Sequence, residues 1–138
     1  MKYLLIVMIA ISFLHAGFWE DLGIKKGDNI EKAKKKYPYF NEIKVEGLDN
    51  SLFIKNVMVN KIELESLSIE YSKTLITKIT IFTKENNNKI FLLLYNDTMK
   101  AFGKPAFTYD NQIRWVTKKF HLYISSSPEN KRILIWME

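Results

Sequence analysis

One histidine, three glutamates and an aspartate are the side chains best placed to move protons, and their spacing gives them little to work with. The chain holds two histidines, and His121 is the only one beyond the apolar leader considered below. A zinc site of the His-Glu-x-x-His kind needs a histidine pair and is impossible; a carboxylate site would need an unusual ligand set. A triad built on His121 would need an activated serine, yet no serine lies in a Gly-x-Ser-x-Gly turn. Ser125, Ser126 and Ser127 run into Pro128 and Glu129 and read as a turn. Glu63 and Glu65 sit two apart on one strand face, about 7 Å from each other, inside the spacing of an inverting glycosidase pair. With Glu70 and Asp110, they read more simply as the wet side of a strand. The chain has no cysteine, which excludes thiolate nucleophiles, thiolate metal sites and disulfides. Its five glycines are scattered and form neither GxxxxGK nor GxGxxG. Asn96-Asp97-Thr98 has the form of a glycosylation sequon, but falls inside a predicted helix with Thr98 facing the core. The sequence therefore predicts no catalytic residue, no metal and no cofactor.

Recognition is what remains. Phe82, His121, Tyr123, Arg132 and Trp136 alternate with apolar residues and share the predicted outer face of a sheet; aromatic and basic, they have the composition of an interface hot spot. The competing reading is that another part of the chain, such as the segment 18–24 with Trp19, covers this face, because tryptophans in a small domain usually belong to its core. A second candidate is an anion-binding patch of Lys32, Lys34, Lys35 and Lys36 on one helix, with Lys118 and Lys119 as further cations. Its plainer reading is a solvated helix face.

The partner class follows from where the chain goes. Lys2, the uninterrupted run Leu4 to Leu14, and the small pair Ala16 and Gly17 have the layout of a secretory signal peptide, residues 1–17. Eleven helical residues reach about 17 Å, roughly half of a ~30 Å hydrocarbon core. The expectation is removal, leaving residues 18–138 as one domain in the periplasm or outside the cell, with an uncleaved N-terminal anchor as the alternative. Losing Lys2 takes the basic count from 21 to 20 against 15 acids, a net charge of +5. Such a field steers toward acidic envelope proteins or anionic membrane surfaces, and export argues against nucleic acid.

The elements that must position these residues can be read from period and punctuation. GDNIEKAKKKYP reads as a helix over residues 28–37: Asp28 and Glu31 form a capping-box pattern, Ile30, Ala33 and Tyr37 repeat at helical spacing, and Pro38 stops the run. Strands are predicted over 43–48 and 53–59, followed by a hairpin of SLSIEYS and LITKITIFT meeting at Lys73-Thr74. KIELES, residues 61–66, breaks the alternation and predicts a bend or bulge. Ile90 to Tyr95 alone could be a buried strand, but a second helix is predicted over 88–102, with Phe91, Leu94, Tyr95, Thr98 and Phe102 on one face and Gly103 and Pro105 as the stop. Strands over 113–117, 120–125 and 132–137 complete the chain. The predicted class is α+β: two short helices on one face of an antiparallel sheet, or two tandem units of a helix followed by strands.

The run MKAFGKPAFTYDNQIRWV resembles the helix, Gly-x-Pro, turn and Trp-ending strand of the small envelope unit in the BamE (SmpA/OmlA) family. GIKKGDNIEKAKKKYP is similar to the opening of such units, and the tandem arrangement resembles the β-lactamase inhibitor protein architecture. Gly103 and Pro105 match as helix-stop residues and Trp115 as the strand aromatic; no functional residue carries over. The lipid-bearing cysteine of the one and the disulfides of the other are missing. The resemblance implies exported, non-catalytic, protein-binding α+β modules.

Overall fold

The computed structural model describes residues 17–126 and 131–138. The predicted signal peptide lies outside the described residues except for Gly17, as do the turn residues 127–130. Among the described residues, three helices, α1 (Phe18–Leu22), α2 (Ile30–Lys36) and α3 (Asn88–Phe102), accompany eight strands. These are β1 (Asn41–Ile43), β2 (Asn50–Val59), β3 (Ile62–Ser72), β4 (Leu75–Thr83), β5 (Phe107–Thr108), β6 (Gln112–Val116), β7 (His121–Ser125) and β8 (Leu134–Met137). All pair antiparallel in one sheet of order β1-β2-β3-β4-β8-β7-β6-β5. The fold is α+β, with helices packed on a sheet.

The strand order reconciles the two architectures that the sequence left open. α2 is followed by β1 to β4 and α3 by β5 to β8, and the last strands of these halves, β4 and β8, pair at the centre. Ile79 faces Met137 and Ile81 faces Ile135 across that seam, and all four side chains are buried. The tandem halves therefore build one continuous sheet over one hydrophobic cluster, to which all three helices contribute.

Alternation fixes the faces. In β3 and β4 the β-branched and leucine positions Leu67, Ile69, Ile76, Ile79 and Ile81 are buried, while Ser68, Glu70, Lys78 and Thr80 point the other way. A pleated strand sends successive side chains to opposite sides, and a register shift between Glu70 and Tyr71 lets Ile76 join the buried face despite its parity. The predicted hairpin at Lys73-Thr74 forms, with Lys73 in the left-handed region at φ 57°. The irregularity expected at residues 61–66 is also present. Asn60 and Lys61 both take positive φ, 47° and 64°, the backbone of a two-residue primed turn whose twist suits a hairpin. A register shift between Leu64 and Ser66 follows.

Several boundaries differ from expectation. α2 starts at Ile30 because Asn29, not Asp28, is its cap: Asn29 Oδ1 accepts from the Glu31 amide at 2.9 Å. Asp28 is engaged instead by the Lys25 amide at 3.0 Å and by Lys32. The first strand covers Asn41–Ile43, and the apolar positions Val45 and Leu48 lie exposed in the turn that follows. Alternation there marked a loop rather than a strand, since Gly47 (φ 82°) turns the chain before β2. Helix α1 and the two-residue β5 were too short to carry a period. α3 begins and ends where its pattern predicts, capped by Asn87 and stopped at Gly103.

The segment 18–24 belongs to the core. Phe18 and Leu22 are fully buried, and the Trp19 indole N–H donates to Thr98 Oγ1 at 2.9 Å, whose hydroxyl donates to the Leu94 carbonyl at 2.6 Å. Tyr37 donates to the Leu22 carbonyl at 2.7 Å, so α1 is tied to both other helices. Asp97 accepts from the Phe18 amide and from the Asn60 side chain, each at 3.0 Å. The Asn96-Asp97-Thr98 tripeptide is thus structural: its threonine is buried and doubly bonded. Packing of this kind, rather than helix propensity, holds a five-residue helix in place.

On the helix side, the Tyr71 hydroxyl donates to the Glu42 carboxylate. This bond, with Lys34 and Lys44 nearby, holds the Glu42 carboxyl below its usual range. Burial first, and then the same carboxylate, push the Tyr71 phenol up from 10.0 to about 12. A raised pKa in the folded state adds stability that is complete below the ordinary phenol range and is lost as pH climbs through the folded value. Thermal melts between about pH 10 and about pH 12 should therefore fall more steeply for the native chain than for Tyr71→Phe. Equal slopes would show that this pair contributes nothing. The depressed carboxyl acts in the opposite sense, its contribution fading as pH drops through the folded value.

Candidate protein-binding face

The sheet face turned away from the helices carries a row of aligned side chains, one from each strand but β1. Register places Phe53 opposite Ser68, Ser68 opposite Thr80, Thr80 opposite Trp136, Trp136 opposite Tyr123, Tyr123 opposite Arg114 and Arg114 opposite Phe107. In the second half the row is aromatic and cationic. Trp136 and Tyr123 stack with centroids 4.4 Å apart and planes 9° from parallel. The Arg114 guanidinium lies 5.1 Å from the Tyr123 ring and 5.7 Å from the Phe107 ring. Phe107 in turn stacks on Tyr109 at 6.3 Å. Five planar groups thus form one continuous ladder, an arrangement that cross-strand neighbours at 4.5–5.5 Å make possible.

Arg114 is the centre of this ladder. Its Nη2 donates to His121 Nδ1 at 2.8 Å; a guanidinium can only donate, so the imidazole accepts there and carries its hydrogen on Nε2. Arg114 Nε is buried without a hydrogen-bond partner among the described residues, its plane covered by rings instead. Other charges on this side are matched within the chain: Lys78 with Glu138 at 3.8 Å and Arg132 with Glu65 at 2.5 Å. The central cation of the ladder pairs with no carboxylate among the described residues.

Of the residues singled out in the sequence, Tyr123 and Trp136 are in direct contact and His121 joins them through Arg114. Phe82 lies on the same face one residue pair away, opposite Leu134. Arg132 stands apart before β8, held by Glu65. The cover expected from the segment 18–24 is not there, because that segment packs on the helix side. Two of the three tryptophans, Trp19 and Trp115, do belong to the core, and Trp136 is the exception, half-buried on the outer face. Sequence reasoning missed Arg114 and Phe107. Arg114 was within reach, since it alternates with the buried Ile113 and Trp115; Phe107 was not, because β5 is two residues long.

The lysine cluster is dispersed. Lys32 pairs with Asp28 at 3.4 Å, and Lys34 approaches Glu31 at 3.7 Å and Glu42 at 3.9 Å. Lys34 also lies 5.8 Å from the Phe40 and Tyr71 ring centres. Lys35 and Lys36 remain exposed.

No group of three or more histidine, cysteine, aspartate or glutamate side chains gathers to hold a metal among the described residues. No helix among them is long and apolar enough to cross a membrane. Comparison with protein-family models, with curated proteins and with solved structures gives no match.

Proposed function

We propose that this chain is an exported, non-catalytic protein that binds another envelope or secreted protein through its outer sheet face. The observation that carries the reading is the ladder of Trp136, Tyr123, Arg114 and Phe107, half-buried or exposed, with no described helix lying over it. Flat rings and arginine lose little conformational entropy when a partner covers them, which is why such residues dominate hot spots. The edges favour the same surface, because β1 and β5 have three and two residues and offer little backbone for strand addition. Charge selects the partner: Arg114 is uncompensated by any described carboxylate, so the complementary segment carries an acidic group beside an apolar one. The resemblance to envelope modules of the BamE type agrees with this reading and adds the compartment.

Capture from envelope extract is the test. Tyr123→Ala combined with Trp136→Ala should reduce recovery of the partner by about a hundredfold, two hot-spot losses of about 1.4 kcal/mol each, with an unchanged circular dichroism spectrum. Undiminished capture rejects the surface.

Attraction to anionic lipid or polymer through Lys32, Lys34, Lys35 and Lys36 has less support, since two of the four are matched by acids of the chain. Co-sedimentation with anionic vesicles at low salt that disappears in Lys35→Ala with Lys36→Ala would favour it over the sheet face.

A further inference from the structure

A cleft of about 470 Å³ opens where the first turn of α3 faces the β5–β6 turn. It lies in the lower half of the range, about 300–1,000 Å³, that small-molecule sites occupy. Its chemistry differs from that of the surrounding surface. The chain has 21 lysines and arginines, yet none lines this cleft. Five carboxamides do, Asn86, Asn87, Asn88, Asn111 and Gln112, together with the rings of Phe91 and Tyr109. Asp110 is the one carboxylate on the wall among the described residues.

We infer that this cleft binds a neutral pyranose, either free or as part of a glycan chain. A carboxamide offers two N–H donors and a carbonyl acceptor on one planar group, which matches the donor and acceptor of neighbouring sugar hydroxyls. The C–H face of a pyranose is apolar and flat, and an exposed ring is the surface it covers. Tyr109 presents one: it is 61% exposed and held by stacking on Phe107 with planes 14° apart. The turn that carries it is set in advance, since the Tyr109 amide donates to the Gln112 carbonyl at 2.8 Å. The Asn87 cap on the Ile90 amide, 3.0 Å, anchors the opposite wall. Among the described residues, an anionic ligand would meet no cation in the cleft and a cationic one only Asp110. This site is independent of the outer-face reading and shares with it only the Phe107–Tyr109 contact.

The test is titration of the purified protein, followed by amide chemical shifts, with methyl glycosides of glucose, galactose, mannose and N-acetylglucosamine and with the corresponding linear trisaccharides. Saturable binding is expected, with shifts confined to residues 86–91 and 108–112. Tyr109→Ala and Gln112→Ala should each weaken it by about tenfold, roughly the worth of one stacked ring or one hydrogen bond to a fixed group. Tyr123→Ala should leave it unchanged. A trisaccharide that binds more tightly than its glycoside identifies a chain, and equal binding identifies a free sugar; either supports the site. No binding by any probe at about 10 mM, an affinity beyond the weakest useful range, overturns it. So does binding that survives both Tyr109→Ala and Gln112→Ala, or a preference for galacturonate over the neutral sugars.

Discussion

Trp115→Ala should destabilise the domain by about 3–5 kcal/mol, the range for removing a large buried aromatic. Trp115 is 1% exposed, its indole N–H donates to the Gly103 carbonyl at 2.9 Å, and its ring lies 6.0 Å from that of Tyr95 on α3. The substitution would empty the space between β6 and α3 and orphan the carbonyl that ends the helix. A domain of this size has a total stability of about 5–15 kcal/mol, so the variant should melt far below the native chain or fail to accumulate. Trp115→Phe separates the two effects, since it refills most of the volume and removes only the hydrogen bond; its loss should be about 1–3 kcal/mol. Urea unfolding followed by circular dichroism reads both. A small loss for alanine would mean that this residue does not hold α3 to the sheet.

Ile135→Ala tests whether the tandem halves fold as one. Ile135 is fully buried at the seam, facing Ile81 on β4 and Ile124 on β7. Truncating a buried isoleucine costs about 2–5 kcal/mol, and the site lies between strands from both halves. If the sheet is one cooperative unit, amide exchange should speed up together in β2–β3 and in β6–β7, and unfolding should remain a single transition. Faster exchange limited to β5–β8 would show instead that each half is stable alone.

How much of this was legible beforehand depended on the length of each signal. α3 could be read against a strand at 90–95 because Phe91, Leu94, Tyr95 and Phe102, with Thr98, repeat at helical spacing and Gly103 with Pro105 ends them. The β3–β4 hairpin was clear over Leu67–Tyr71 and Ile79–Thr83, where a period of two holds; the register shift beside Tyr71 turns Ile76 inward and leaves Leu75, which parity placed on the buried face, exposed. The short elements failed for the same physical reason: five residues of α1 and two of β5 hold no complete period, and both depend on tertiary contacts. Trp19 shows the consequence. Without its bond to Thr98 in view, nothing in FWEDL says which side of the sheet the segment covers.

The outer face was half legible. Parity placed His121, Tyr123 and Trp136 together, but parity cannot say which residues of neighbouring strands become partners. That needs the registry of β6 against β7 and of β7 against β8, which brings Arg114 between Phe107 and Tyr123. The dispersal of the lysines was hidden likewise, because Asp28 and Glu31 lie close in sequence whereas Glu42 reaches Lys34 only through β1.

Photo-crosslinking in the native envelope asks most directly whether the outer sheet face is the binding surface. A photoreactive side chain at Thr80 or Leu134, beside the ladder, should give a discrete adduct with one partner protein, while one at Leu92, exposed on α3, should give none. Adducts from Leu92 with silence at Thr80 and Leu134 would contradict the account and move recognition to the helical side.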